Sequence, residues 1–413
     1  MDIFKFGGAA LQQPDRLRQV AYIIQQQAQG QADQKLVVVV SAMGKTTNAL
    51  EEVVALALAK KSFASELEKI KSYHFQQADA LQLEKVKPEL ETIFRDIEST
   101  AAQLGEYDFI YDQVVSQGEI VSSIIVAHYL KSQGIDVCWE DARTLIKTDN
   151  AYREAKINWR ETENRVNRLH SQSITITQGF IGSTDQNFTT TLGRDGSDFT
   201  AGIFGYCLNA KSVTIWKDVP GVMSADPKRR KNAIVFEELP YKEAAEMTYF
   251  GASVIHPKTI KPLANKGISL YVKSFIDPGL PGTKIHECRV DKLPPLIVYK
   301  ENQCLISCKV TDYTFVDEPQ LAIIFKSISD HNVRINLMQN SAISFSFCVD
   351  YRENKIMKLI GDLSQHFEVY FNTHLTLITI KNYDTKTAAE FSGLKGVILE
   401  QSSRSTLQVL LKN

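Results

Sequence analysis

An α/β fold is expected for about the first two thirds of this chain: an open, mainly parallel sheet with helices on both faces, followed by a smaller α+β region of ferredoxin-like order. Three observations predict it. Short apolar runs alternate with amphipathic ones through the first 275 residues. Prolines then interrupt the pattern between 277 and 302, and beyond them the strand and helix signals come in the order βαββαβ.

Taken in order, "DIFKF" reads as a strand, and Leu17, Val20, Ala21 and Ile24 follow at helical spacing. "LVVVV" is continuous enough to be buried on both faces. Asn48 with Glu51 predicts a capping-box helix start, and Leu50, Val53, Val54 and Ala57 line the helix behind it. The stretch 62–105 is charged and strand-free, which predicts a helical insertion with a solvated charged face. "GEIVSSIIVAHYL" predicts a helix, "IDVCW", "SITITQGF" and "SVTIW" strands, and "PYKEAAEMTYFG" another helix. One domain is therefore expected at 1–276, and Pro278, Pro281, Pro294 and Pro295 mark 277–302 as a linker.

The α+β unit is expected at 303–381. It opens with "CLISCKV"; Leu321, Ile324, Phe325 and Ile328 define a helix, and "VRINLMQ" and "ISFSFCVD" pair as strands. Ile356, Leu359, Ile360 and Leu363 define a second helix before "LTLITIKN". At 382–413 a short helix around "TKTAAEF" and the strands "GVILEQSS" and "TLQVLLKN" echo that order. They predict a truncated second copy that borrows a partner to bury its faces.

The 413 residues exceed what one core usually supports, so two or three domains are expected. Basic and acidic side chains number 47 and 48, leaving a net charge of −1 and no broad field for DNA or RNA. No run approaches the roughly 18 apolar residues of a membrane span, and "MDIFKFGGAA" has no basic leader region. A cytoplasmic protein with neither a membrane nor a nucleic-acid partner is expected. The six cysteines show no C-x-x-C spacing and are expected as reduced thiols packed as small hydrophobes.

"LVVVVSAMGKTTN", residues 36–48, ends like a Walker phosphate loop. That loop needs a glycine five positions before its Gly-Lys pair, and Val39 stands there, inside the strand. What remains is a glycine turn between strand and helix, where backbone N–H groups and the helix dipole attract an anion. There is a set of such turns. "KFGGAA" puts Lys5 at a strand end with Gly7 and Gly8 behind it, so backbone can approach phosphate oxygens. "TTLGRDGSDFTAG" sets Arg194 and Asp198 before a helix expected to begin near Phe199, and "TIWKDVPGVMSADP" is a long polar loop after a strand.

In this order, "KFGG", "VVVSAMGKTTN", "SQGE", "TQGFIG", "TTLGRDGSD", "KDVPGVMSADP", "FGASVIHP" and the βαββαβ unit resemble the aspartokinases of the amino-acid kinase superfamily. The resemblance implies a carbamate-kinase-like sheet domain and transfer of the ATP γ-phosphoryl group, with Mg2+, to the β-carboxylate of L-aspartate. This is the first step toward lysine, threonine and methionine. The chemistry suits the residues. A carboxylate with a pKa of about 4 is already ionised at neutral pH, so alignment and charge cancellation must do the catalysis. Lys5 is the expected point charge, with Arg194 and Asp198 the other catalytic candidates.

By resemblance Ser41, Ala42, Thr47, Glu119, Phe180, Arg194, Ser197 and Asp198 line the aspartate pocket. Arg194 would fork a carboxylate, and Glu119 and Asp198 would face the ammonium. Lys5, Gly7, Gly8, Gly44, Lys217, Asp218, Met223, Lys228 and Ser253 are the ATP-binding candidates. Several positions depart from the family. Ala9 and Ala10 lack two hydroxyls, Ser253 replaces a lysine and Asp195 a glycine. These departures leave two alternatives: a catalytically weak paralogue serving as a regulatory subunit, or a kinase for another acid. No homoserine dehydrogenase domain follows before Asn413, so a single activity is expected. The βαββαβ unit resembles an ACT domain, which implies homodimerisation and an amino-acid effector contacting Asn336 and Ser341. With Ala342 following Ser341 and no acid at 336, lysine and threonine are both open as effector, against a purely structural dimerisation module.

Overall fold

Strands with every residue buried, "DIFKF", "LVVVV" and "ITITQ", need cover on both faces, and they sit inside a sheet. The computed structural model describes residues 1–30, 35–103, 105–169, 173–252, 255–311 and 315–412. In chain order the elements are β1 (Asp2–Phe6), α1 (Gly8–Leu11), α2 (Pro14–Gly30), β2 (Leu36–Val40), α3 (Thr46–Leu58), α4 (Ala64–Ala80), α5 (Lys87–Ala101), α6 (Tyr107–Val115) and α7 (Gln117–Ser132). Then come β3 (Cys138–Glu140), α8 (Ala142–Leu145), α9 (Trp159–Val166), β4 (Ile174–Gln178), β5 (Ile181–Ser183), β6 (Thr189–Thr191), α10 (Gly196–Cys207) and β7 (Ser212–Lys217). The larger sheet closes with β8 (Glu238–Pro240), α11 (Tyr241–Tyr249), α12 (Pro257–Asn265), β9 (Ser269–Ser274) and β10 (Thr283–His286).

Its strand order is β3-β4-β2-β1-β7-β9-β10-β8, parallel except where β10 meets β9. From β1 the chain moves to β2 on one side and later to β7 on the other, which opens a crevice beyond the carboxyl end of β1. The expected insertion is present as α4 and α5, whose buried faces carry Leu67, Ile70 and His74, and Leu90, Phe94 and Ile97.

The smaller sheet follows: β11 (Leu296–Lys309), α13 (Glu318–Asp330), β12 (Ile335–Asn340), β13 (Ser344–Asp350), α14 (Glu353–Leu363), β14 (Glu368–Lys381), α15 (Thr385–Phe391), β15 (Val397–Ser402) and β16 (Thr406–Lys412). Its antiparallel order is β12-β13-β11-β14-β16-β15. Helices α13 and α14 cover Cys304, Ile306, Cys308 and Phe347. The chain divides into two compact units: Met1–Val222, Val235–Ala245 and Val254–Val290 form one, and Met223–Ile234, Glu246–Ser253 and Asp291–Asn413 the other.

Four expectations need correction. The stretch 277–302 is no linker, because β10 joins the large sheet and β11 starts at Leu296. Pro294 and Pro295 stop short of the strand, where a missing N–H costs no ladder bond. The second copy is not short of a strand either. The first half of β11 pairs with the last half of β14, from Leu296↔Lys381 to Lys300↔Leu377, and β14 pairs onward with β16. This supplies the fourth strand from the same chain, and Ala225 of the Met223–Ile234 segment packs with Ile297, Ile380 and Val409 in that core. The Asn48–Glu51 capping box does not form, since Gly44 at φ +56° turns the chain early and α3 begins at Thr46. Helix α10 begins at Gly196 rather than near Phe199, because Asp195 at φ +55° is its N-cap.

The cysteines are free thiols, as expected from their spacing. Among the described residues no helix is long and apolar enough to cross a membrane.

Candidate active site

Five loops at the carboxyl ends of β1, β2, β4, β6 and β7 surround a cavity of about 890 Å3. At the first, Lys5, next to last in β1, is only 9% exposed, and its Nζ lies 2.6 Å from Asp198 Oδ1, in the first turn of α10. Gly7 and Gly8 follow. A Cβ at Gly8 would stand 2.7 Å from the Ala42 carbonyl and 2.8 Å from that of Gly44, so the first two loops touch backbone to backbone. The Gly44 N–H donates to the Gly8 carbonyl at 3.0 Å, and Ser41 N–H to that of Phe6 at 3.0 Å.

The second loop brings Ser41, Ala42, Gly44 and Thr47 to the cavity. Lys45, its exposed N-cap, does not line it. Glu119, in the first turn of α7, is 3% exposed and its Oε2 has no hydrogen-bond partner. Burial pushes its pKa up to about 8, against the opposing pull of Lys5 and the Ala42 N–H. Asp198 goes the other way. Burial would raise it, but Lys5 and Lys217, the latter 3.9 Å from Oδ2, outweigh that and hold it below the usual carboxylate range.

Phe180 takes φ +71° and packs over Gly196, where a Cβ would come within 2.6 Å of its ring. This interlocks the fourth-strand loop with the Gly193–Asp198 turn that carries Arg194 and Ser197 to the cavity. Asp195 occupies a left-handed position where glycine is the easy choice, and aspartate is among the few other residues that tolerate it.

The nucleotide candidates are not gathered as expected. Lys217 lines the cavity, but Asp218 is exposed and does not. Met223 and Lys228 belong to the second compact unit, and Lys228 closes a turn by donating its N–H to Asp226 at 2.9 Å. Ser253 lies outside the described residues. Asn336 lies near the start of β12 and Ser341 follows its end, about 17 Å apart along an extended strand. Asn336 is engaged by Lys300, Gln303 and Asp350, while exposed Ser341 donates its N–H to Ser344 O.

Sequence reasoning missed the braces. Tyr73 of α4 donates to the Gln12 carbonyl at 2.9 Å, and fully buried His74, its pKa lowered to about 4 by burial, sits 3.3 Å from Thr46 Oγ1. The insertion thus buttresses the Gly44 turn. The signal available was the helical spacing of Leu67, Ile70 and His74, which marks an inward face. Asp112, Tyr111 and Arg153 were missed too. Among the described residues Glu238, His286 and Cys288 bring ligand atoms within 4.8 Å of one another, but they do not line the cavity, and sulfur and imidazole suit softer ions than Mg2+.

The sequence model of the amino acid kinase family matches residues 3–274. The chain belongs to that family. Within the amino acid kinases its relatives are aspartokinases. The lysine-sensitive aspartokinase 3 of Escherichia coli strain K12 is 31% identical over 361 residues, which are 84% of this chain and 78% of that protein. The bifunctional aspartokinase/homoserine dehydrogenase 2 of Zea mays is 30% identical over 386 residues, 88% of this chain, and the match covers 41% of the maize protein's length. A solved structure of E. coli aspartokinase III in complex with aspartate and ADP superposes with a TM-score of 0.83 at 26% identity, covering 100% of this chain and 96% of that one.

Proposed function

We propose that this amino acid kinase transfers the γ-phosphoryl group of ATP to the β-carboxylate of L-aspartate, forming 4-phospho-L-aspartate. The observation that carries the reading is the buried Lys5–Asp198 pair at the end of β1, in a cavity that also holds Glu119 and Arg194. Two anions must approach each other for this reaction, and Lys5 is the cation placed to offset their repulsion. Asp198 fixes the ammonium of Lys5 before substrate arrives. The Gly7–Gly8 turn offers backbone N–H groups to phosphate oxygens, Arg194 takes a substrate carboxylate, and Glu119 receives the substrate ammonium.

The donor set fits Mg2+ brought in on the nucleotide. Asp198 is already committed to Lys5 and Lys217, so among the described residues no pair of free buried carboxylates lines the cavity as a protein cage, and phosphate oxygens and water would complete the shell. Bound there, Mg2+ would neutralise phosphate charge. On the same reading Lys217, which lines the cavity, serves the nucleotide, and the protein works in the cytoplasm.

The second unit supports a regulatory reading. Strand β12 is an open sheet edge, with exposed Met338 on it and exposed Phe325 and Ile343 in the same unit, which favours pairing with a second copy. An amino-acid effector, lysine or threonine, would bind there, with Asn336 and Ser341 contributed by different copies. A coupled ADP-release assay with L-aspartate and Mg-ATP tests the activity. Aspartate-dependent turnover is expected, and its absence would favour the regulatory-subunit alternative. Turnover with another acid alone would identify a sister kinase, and activity indifferent to millimolar lysine and threonine would remove the effector.

A further inference from the structure

One wall of the cavity is built around a buried acid that touches no cation directly. Asp112 of α6 is 0% exposed, and its carboxylate accepts the Arg153 N–H on both oxygens, at 3.1 and 3.0 Å. It also accepts the Thr191 N–H at 2.8 Å and the Thr191 hydroxyl at 2.7 Å. A carboxylate is costly to bury, so four such bonds mark a segment held with care. The segment it holds is strained. Arg153 sits at φ +69°, a left-handed conformation that disfavours residues with a Cβ and that clusters at functional sites.

The side chain is prepared as well. The Arg153 guanidinium lies 4.4 Å from the Tyr111 ring centroid and 5.2 Å from that of Tyr107, and Tyr111 is anchored by donating its hydroxyl to Glu51 at 2.5 Å. Stacking engages the flat face of a guanidinium and leaves its N–H edge for a carboxylate fork. The nearby Asp108 takes that edge only at 3.5 Å. Arg153 and Arg194 line the same cavity as Lys5. A substrate with two carboxylates needs one cation at the acceptor group and another at the group that is spared.

We infer that Arg153 is a specificity-determining residue. Its stacked guanidinium binds, alongside Arg194, the α-carboxylate of the dicarboxylic amino acid, and Asp112 is the positioning residue that aims it. This rests on the phosphotransfer reading above. The test compares steady-state kinetics of the wild-type chain with Arg153→Asn, chosen because asparagine tolerates left-handed backbone, and with Arg153→Lys. The substrates are L-aspartate and its α-amide. In Arg153→Asn, KM for aspartate should rise about tenfold while kcat and KM for Mg-ATP stay within about twofold. Preference for aspartate over the amide should fall by the same factor, which a merely structural role would not produce. Arg153→Lys should recover little, lacking the fork. An unchanged KM for aspartate, or unchanged discrimination against the amide in folded Arg153→Asn, overturns the inference. If the wild type uses glutamate and not aspartate, the substrate assignment falls and Arg153 is judged on glutamate and its α-amide. A wild type that releases ADP with no acid overturns both.

Discussion

At the floor of the cavity Lys5 and Asp198 meet at 2.6 Å, both nearly withdrawn from water, whereas at the rim Arg194 leaves 86% of its side chain exposed with Asp195 3.7 Å away. On the phosphotransfer reading both regions carry cations for an anionic substrate, but the floor pair is short and buried while the rim contact is longer and solvated. On the proposed reading the difference follows from what each would have to do. Charges that act on the transferring group have to be oriented in advance, since reorganising them during reaction raises the barrier. A residue that grips substrate on entry can stay solvated until it binds. Glu119 and Asp198 repeat the contrast within the floor itself: the same burial leaves one carboxyl protonated near neutral pH and, with two lysines beside it, keeps the other ionised.

The sharpest way to break this contrast is to remove the floor cation. Lys5→Ala should lower kcat by about 100- to 1000-fold with the fold retained, measured by ADP release beside circular dichroism. Retained turnover in a folded sample would leave the floor without a catalytic role.

Next comes Glu119. On the proposed reading the ammonium of aspartate requires its carboxylate, so with a pKa of about 8 in the free protein, binding aspartate near pH 7 should release a proton. The Kd for aspartate should rise up to about tenfold per unit as pH falls below about 8. Titration calorimetry in buffers of different ionisation enthalpy reads both, and Glu119→Gln should abolish both. The stability effect has the matching sign. A carboxyl raised on folding favours the native state below its unfolded pKa and loses that contribution as pH rises through about 8, so Glu119→Gln should flatten the fall in Tm from pH 6 to 9.

At the rim, Arg194→Lys keeps the charge and loses the fork, so KM for aspartate should rise by up to about tenfold with kcat little changed. A larger fall in kcat than in affinity would place Arg194 with the floor. The smallest effect is expected at Asp195, whose left-handed backbone suits glycine. Asp195→Gly should shift stability by less than about 1 kcal/mol and leave KM for aspartate within about twofold. A marked change in KM would show that Asp195 tunes Arg194.

Much of the fold was legible because local signals agreed with tertiary ones. The apolar run Leu36–Val40 had only one way to be satisfied, and Gly8 and Gly44 announced turns that prove to be in backbone contact. The loop after β7 misled, because one polar stretch in sequence is divided between two compact units at Val222 and Met223. Arg153 was invisible: its positive φ, its tyrosine stack and its tie to Asp112 involve residues that no spacing rule connects.

From the order of residues alone came the alternation of strand and helix, the glycine turns, Lys5 at a strand tip and the family likeness. These rest on periodicity and backbone freedom, which act over a few neighbours. Only the tertiary structure decided that the first half of β11 completes the second small sheet unit, that the insertion braces the Gly44 turn, and that the pKa of Glu119 is pushed up while that of Asp198 is held down. Strand partners, desolvation and charge pairing depend on segments far apart in the chain, so their energies exist only once those segments have met.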